Sequence, residues 1–463
     1  MVRILSPWRR HRAVAVAAVT GLAAISLAAC GGGGAAGNGG SATSGNIKWW
    51  GWTPEINVAN NDYIKAFNKV YPNIHVTYKQ LTISGWDAGL RPALASSVGP
   101  DVFDIAPGAG MQQYAQYAQD LTPAVKKALG ATWKSKVAPI GIRSLSTSSG
   151  KLAAMSVGAT FAGSLWINQD LFDKYHLTAP TNMAQWVNVC KTFKQNGVGC
   201  FVQGAGQTAF NQDTLQSIAD EIQPGYWTKA SKGQAKWTDP TMVKALTIWK
   251  QLFHNGIMEK GALGVQQYPD ANNDFLSGKN AMVMMGTWYM QYSTQSGMTS
   301  AISAAGVGNP KPFNAIAIPF PDVAGTGRTG TMYGDSDYGI AVNAKSKARN
   351  AATTFVTWLT TSKAGQQEVA NALNDIPALN GVQPQWDNVT LVNKSAQQSA
   401  LEKLVQQTTT SSEPRLSLIT SDLQQAIGVA STTVAEGQKT PEQAASALQD
   451  AADKLPNKGT TTY

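Results

Sequence analysis

The chain has 463 residues, 43% of them hydrophobic and 14% charged, with 44 glycines and 21 prolines. That length exceeds what one hydrophobic core serves, so two lobes are expected, and the apolar fraction excludes wholesale disorder. The formal charge of +9 falls to +5 once Arg3, Arg9, Arg10 and Arg12 are set aside; no dense Lys/Arg run follows, which excludes nucleic acid as the main partner.

The first elements read as a leader. Arg3 to Arg12 make a basic stretch, and Ala13 to Leu27 an apolar one too short to span a bilayer as a mature helix. Residues 1–29 therefore read as a signal peptide. Leu27-Ala28-Ala29-Cys30 resembles the bacterial lipobox, in which the cysteine is lipidated and becomes the first mature residue; the alternative is an ordinary signal peptide with a coincidental cysteine. Residues 30–46, Cys30 and a Gly-rich run, bury almost nothing and are expected to form a flexible tether reaching on the order of 20 Å. Acyl chains, at ~0.8 kcal/mol per buried CH₂, would hold the body at the outer face of the cell membrane.

From Ile47 strands and helices alternate. Residues 47–50 open a strand; Tyr63, Ile64, Phe67, Val70 and Tyr71 recur at helical spacing until Pro72 stops them. Ile74, Val76 and Tyr78 alternate with polar residues as a half-buried strand. A helix near 86–97, a strand at Asp101–Ile105 and a helix at 111–119 follow. Strands are expected at 152–157, 164–168 and 199–203. Thr181 is placed as the cap of a helix to about Gln195, and Asp239-Pro240 starts another. Residues 281–285, 315–318 and 339–342 read as strands. Ala352, Phe355, Val356 and Leu359 share one helix face, and Thr440-Pro441 starts the last helix. This order predicts α/β lobes with largely parallel sheets.

Cys190 and Cys200 are expected to be oxidised outside the cytoplasm, the alternative being two buried thiols. His11, His75, His176 and His254 have no metal-ligand spacing, so no metal and no cofactor are predicted. G-x-S-x-G, H-E-x-x-H and the phosphate-binding G-x-x-x-x-G-K-[ST] are absent. Gly325-Thr-Gly-Arg-Thr-Gly330 follows prolines and precedes no helical pattern, so it reads as a mobile loop.

Asp335 and Asp337 could act as the carboxyl pair of a glycoside hydrolase, but residues two apart on one segment do not readily flank a sugar from both sides. They could equally accept hydrogen bonds from hydroxyls, or form a solvated turn. Fourteen tryptophans stand out. Trp49-Trp50-Gly51-Trp52 closes the first strand, Trp166 ends another, and Trp288-Tyr289 follows a third. Ligands of open α/β sheets bind beyond the carboxyl ends of strands, where aromatic faces suit pyranose rings. Core packing is the alternative for each ring.

Read in order, "IKWWGWTPE", "GPDVFDIAPG", "GKLAAMSVGATFAGSLWINQDLFDKYHL", "FLSGKNAMVMMGTW", "YGDSDYGIAVNAKSKARNAATTFVTWLT", "EPRLSL" and "VAEGQKTPEQAASALQ" resemble the extracellular solute-binding proteins of ABC sugar importers, the maltose-binding-like group. The resemblance spans about Ile47 to Leu455. It implies a two-lobe periplasmic-binding-protein-like fold of type II, with the ligand in a cleft between lobes joined by hinge segments. The expected division is 47–158 and 316–365 for the N-terminal lobe, 159–315 and 366–463 for the C-terminal lobe. The chain is expected to be a monomer and not an enzyme, closing around a neutral sugar and delivering it to the permease's transmembrane subunits. A lipid-anchored glycoside hydrolase and a binder of a non-sugar solute are the alternatives. Trp50, Trp52, Glu55, Trp166, Trp288, Tyr289, Asp335, Asp337, Tyr338 and Arg415 are the candidate ligand contacts. Ala106 stands where many relatives carry a ligand-contacting Asp, and Asp104 is not an evident replacement.

Overall fold

The structure, a computed structural model, describes residues 39–455 apart from Thr329 and the side chain of Ile56. The leader and Cys30 lie outside the described residues.

In β1 (Gly45–Gly51), Ile47 and Trp49 point into the core while Lys48 is exposed and Trp50 half-buried. This strand pairs in parallel with β2 (Ile74–Gln80) on one side and β3 (Val102–Ile105) on the other. β11 (Gly339–Val342) adds antiparallel to β3, and β4 (Met155–Ser156) antiparallel to β11, giving the order β2-β1-β3-β11-β4. The helix Arg349–Thr361 buries Phe355, Val356 and Leu359 in the same core as Trp49, Phe67 and Phe103. This is the first lobe.

The second lobe is built on β6 (Ser164–Asn168), β7 (Gly199–Val202), β8 (Asn280–Met284) and β9 (Ala315–Pro319), in the order β7-β8-β6-β9. Its central strands β6 and β8 are buried throughout, because apolar clusters cover both faces. One cluster gathers Trp186, Trp227, Trp237 and Trp249; the other gathers Trp166, Phe275 and Tyr289. The disulfide Cys190–Cys200 ties the helix Met183–Gln195 to β7, with a Cα–Cα distance of 4.9 Å.

A three-stranded antiparallel sheet, β10-β5-β12, carries the chain between the lobes: β5 (Gly158–Ala162), β10 (Tyr333–Ser336) and β12 (Ile376–Pro377). Gly158 must lack a side chain, since a Cβ there would sit 2.4 Å from the Cβ of Asp375 and 2.5 Å from the Ile376 carbonyl oxygen.

Several expectations are corrected. The sheets are mixed rather than largely parallel, because β11 and β9 return from late in the chain and insert antiparallel. β9 pairs with β6 in the second lobe, although 316–365 was expected in the first; the helix Lys363–Ala372 puts Val369 into the first lobe's core, beyond the expected boundary at 365. The end of the expected tether is not free. Gly40 and Ala42 carbonyls accept hydrogen bonds from the Asn350 and Thr354 side chains, so 39–46 lies against the helix Arg349–Thr361. The glycine-rich loop is pinned rather than mobile: Asp322 accepts the N–H groups of Thr326 and Gly327, and Arg328 donates to the carbonyls of Glu221 and Ile222. Asn182, not Thr181, caps its helix by accepting the Gln185 N–H at 3.0 Å. The last helix starts as expected, with Thr440 and Gln443 forming a reciprocal capping box.

Candidate ligand-binding cleft

At the end of β1 the three tryptophans part company. Trp49 is fully buried and donates its indole N–H to Asp104 Oδ1 at 2.8 Å. Trp50 lies under the Lys79 ammonium of β2, 4.2 Å from its ring centroid, so a cation already occupies that face. Only Trp52 runs on past the sheet, half-buried, with Trp86 edge-on at 4.8 Å and Tyr338 at 6.2 Å. Its backbone N–H donates to Asp104 Oδ2 at 3.1 Å. Gly51 makes that possible, since a Cβ there would lie 2.3 Å from the same oxygen. Asp104 is therefore an internal brace for the Trp52 turn and does not take the place of a contact at Ala106. Burial pushes its carboxyl well up, against the hydrogen bonds from Trp49, Thr53 and Trp52.

In the second lobe, Trp288 follows β8 on the helical turn Thr287–Ser293. Gly286 before it has no room for a Cβ, which would meet the Trp288 ring at 2.1 Å. The Trp288 N–H donates to the Tyr268 hydroxyl at 3.0 Å, and the Arg415 guanidinium stacks on the ring at 4.5 Å. Arg415 is held by a two-pronged bond to Asp213, at 2.9 and 2.8 Å. Burial opposes its charge, but Asp213 more than offsets this, with Asp337 and Tyr333 adding, so the guanidinium is held even more firmly than usual. Asp335 explains how Arg415 is placed: its Oδ2 accepts the backbone N–H groups of Arg415, Leu416 and Ser417 at 3.0, 2.7 and 2.8 Å.

The lobes meet directly. Tyr292, from the helical turn that bears Trp288, donates to Glu55 Oε1 at 2.7 Å. Burial raises the Glu55 carboxyl, and this hydrogen bond opposes the rise. Asp337, at the end of β10, accepts the Thr160 hydroxyl at 2.8 Å. Burial pushes its carboxyl up to about 6, against the Thr160 bond and the Arg415 charge. Burial raises the Tyr268 phenol, against the Trp288 hydrogen bond, and the charges of Asp337, Arg415 and Glu55 also act on it.

Of the ten candidate contacts, Trp52 runs beyond the first lobe's sheet beside Trp86 and Tyr338, and Glu55, Trp288, Asp337 and Arg415 lie at the meeting of the lobes. The others stand behind it. Trp166 is fully buried, donates to the Gly286 carbonyl at 2.9 Å and packs on Tyr289 at 5.6 Å. Tyr289 is fully buried and donates to Asn272 at 2.9 Å; Tyr338 is enclosed in the first lobe's core. Asp335 acts on backbone and Trp50 on Lys79. Tyr268, Tyr292, Asp213 and Thr160 belong to the site and were not foreseen. Tyr292 lies four residues after Trp288 on the same short 3₁₀ helix, so nearness in sequence was its one signal; Asp213, on a distant helix, gave none.

The arrangement offers ring faces, carboxylate acceptors and one fixed guanidinium, suited to gripping a small polar molecule with apolar faces. Among the described residues no group of three or more His, Cys, Asp or Glu could hold a metal ion, and no helix is long and apolar enough to cross a membrane. A cavity of about 410 Å³ lies elsewhere, beside the helix Lys394–Thr408, lined by Ala317, Met332, Lys403 and Gln407. It contains no aromatic ring and no carboxylate, so the meeting of the lobes is the better candidate.

None of the curated proteins matches the sequence. Solved structures do. One, from work on xylan utilization by the thermophilic bacterium Caldanaerobius polysaccharolyticus, is 19% identical, with a TM-score of 0.68 over 88% of this chain and 99% of that one. A chitin oligosaccharide binding protein is 18% identical, with a TM-score of 0.67 over 89% and 98%. The maltose/maltodextrin-binding domain from Bdellovibrio bacteriovorus, bound to maltotriose, is 16% identical, with a TM-score of 0.63 over 88% and 99%. These likenesses establish a shared two-lobe fold. The model of the bacterial extracellular solute-binding protein family matches residues 53–366, and the chain belongs to that family.

Proposed function

We propose that this protein binds a carbohydrate outside the cell, between Trp52 and Trp288, and passes it unaltered to the membrane subunits of an ABC importer. The supporting observation is the lobe-to-lobe bond from Tyr292 to Glu55, made by the same helical segment whose Trp288 bonds the Tyr268 hydroxyl and carries the Arg415 guanidinium on its ring. The structural relatives described as binding chitin oligosaccharide or maltotriose favour a sugar. Ring faces take the apolar side of a pyranose, while Glu55, Asp337 and Arg415 fix hydroxyls. Lipidated Cys30 keeps the monomeric body at the membrane's outer face.

Closure is the working step. A ligand moves the open–closed equilibrium only by contacts it makes in the closed form, and a swing from 1:99 to 99:1 needs ~5.5 kcal/mol. Two stacked rings and a few charge-assisted bonds supply that order. The hydrolytic alternative loses support because Asp335 is buried and accepts three backbone N–H groups, which leaves Asp337 without a paired carboxyl on the same segment. A thermal-shift screen with xylotriose, chitobiose, maltotriose and stachyose tests the reading. A bound sugar at 100 times its Kd should stabilise by ~2.7 kcal/mol, with the sugar recovered intact. A melt that no carbohydrate moves, or release of a cleaved product, rejects it.

A further inference from the structure

Asp375 is among the most enclosed carboxyls near the cleft, and the site described above does not use it. It immediately precedes β12 in the crossing sheet and is 2% exposed. Its Oδ2 accepts the Asn374 side-chain N–H at 2.7 Å, whereas Oδ1 is buried without a hydrogen-bond partner. Gly158 links it to Asp337. The Gly158 carbonyl accepts the Asp337 N–H at 3.0 Å, and a Cβ on Gly158 would touch the Asp375 Cβ at 2.4 Å. In the strand order β10-β5-β12, Asp337 leaves one flank of β5 and Asp375 enters the other. Both aspartates therefore adjoin Gly158, Asp337 through its backbone N–H and Asp375 through its Cβ, and the Thr160 hydroxyl that Asp337 accepts lies two residues along the same strand.

The groups facing them are mostly acidic. Asp337 and Asp104 act on Asp375 as negative charges; the Asn374 amide is the one favourable contact. The phenols of Tyr63 and Tyr338, which respond to the Asp375 charge, are buried and held as O–H. Asp337 has the Thr160 hydroxyl and the Arg415 guanidinium, and Arg415 is already committed to Asp213. Ionising both would place two like charges beside Gly158, with Asp375 fully enclosed and the one cation acting on Asp337 already engaged by Asp213, a situation that dyads relieve by retaining a proton. Burial and like charge push Asp375 well above the ordinary carboxylate range, whereas Asp337 rises only to about 6.

We propose that Asp375 is a positioning residue for Asp337: at neutral pH the two hinge carboxyls hold one proton between them, on Asp375, so that Asp337 alone carries the charge that meets the ligand. This rests on the reading of Asp337 as a ligand contact. Three regimes follow. Below about pH 6 both carboxyls are protonated and the acceptor is lost. Across neutral pH one charge faces the cleft. In more alkaline solution both are ionised, and repulsion drives Asp337 from its place.

Two measurements on the full chain decide the matter. The infrared difference between wild type and Asp375→Asn at pH 7.5 should contain one protonated carboxyl band, while the difference between wild type and Asp337→Asn should not. Carboxyl ¹³C titration of the wild type needs no variant and should show the Asp375 step far above the Asp337 step. Calorimetry with xylotriose, chitobiose and maltotriose should give, for whichever binds, an affinity that falls on both the acid and the alkaline side. Asp375→Asn should remove the alkaline fall and keep the acid one. A merely structural aspartate gives no alkaline fall. The proposal is overturned if Asp375 titrates as an ordinary carboxylate, if the protonated band is missing, or if wild type and Asp375→Asn share one alkaline profile. If none of the sugars binds, the sugar reading fails, and the spectroscopy still decides the state of the pair.

Discussion

The two lobes build their shares of the cleft differently. The first contributes from one short run, residues 49–55, in which Trp49 goes to the core, Trp50 lies under Lys79, Trp52 runs past the sheet beside Trp86, and Glu55 accepts the bond from Tyr292. The second gathers Asp213, Tyr268, Trp288, Tyr292 and Arg415 from segments up to about two hundred residues apart, joined by hydrogen bonds and a stacked cation. A local run is robust because each residue has its own packing. An assembled site depends on every member. Changes in the second lobe should therefore cost more.

The largest effect is expected from Arg415→Ala. It leaves Asp213, with a side chain 3% exposed, as an unpaired buried charge. Denaturant titration should show a loss of about 3–5 kcal/mol, and sugar binding should disappear. Trp288→Ala removes a ring face and the support for Arg415; calorimetry should show a loss of about 2 kcal/mol, roughly thirtyfold in affinity.

The pH dependence comes next. The folded-state value of Asp337 is raised from 3.8 to about 6, so its contribution to stability is fully present below the unfolded value and is lost as pH rises through about 6. Asp337→Asn should flatten the stability profile over that window, by up to about 3 kcal/mol. Tyr292→Phe deletes the lobe-to-lobe bond to Glu55 and should weaken binding by about 1 kcal/mol, roughly fivefold, without lowering the melting temperature appreciably. In the first lobe, Trp50→Phe should change affinity by less than about twofold, because the Trp50 ring is engaged by Lys79 of the same lobe and Phe keeps an aromatic face for it. A Trp50 effect as large as that of Trp288 would erase the contrast between the lobes.

The same contrast explains what the sequence disclosed. Alternation and turn signals revealed β1, β2, the helix Arg349–Thr361 and the Thr440 capping box, because those patterns are local. Sheet direction was not legible: β9 and β11 join their sheets through pairings across more than a hundred residues. Aromatic residues at strand ends marked the right neighbourhoods, but not which ring faces out. Trp166 and Trp288 flank the same Gly286, one behind it and one in front, and only the packing separates them. Asp335 and Asp337 likewise looked alike, until the backbone of 415–417 claimed the first and Thr160 the second.

The central claim is that an intact sugar draws the two lobes together. Val70 and Val429, exposed on the first and second lobes, are suitable positions for a donor and an acceptor dye, through Val70→Cys and Val429→Cys with Cys30 replaced by Ser. Titration with the sugar found by thermal shift should change energy transfer saturably, with the same midpoint as calorimetric binding. Saturable binding that leaves the transfer efficiency unmoved would contradict the account.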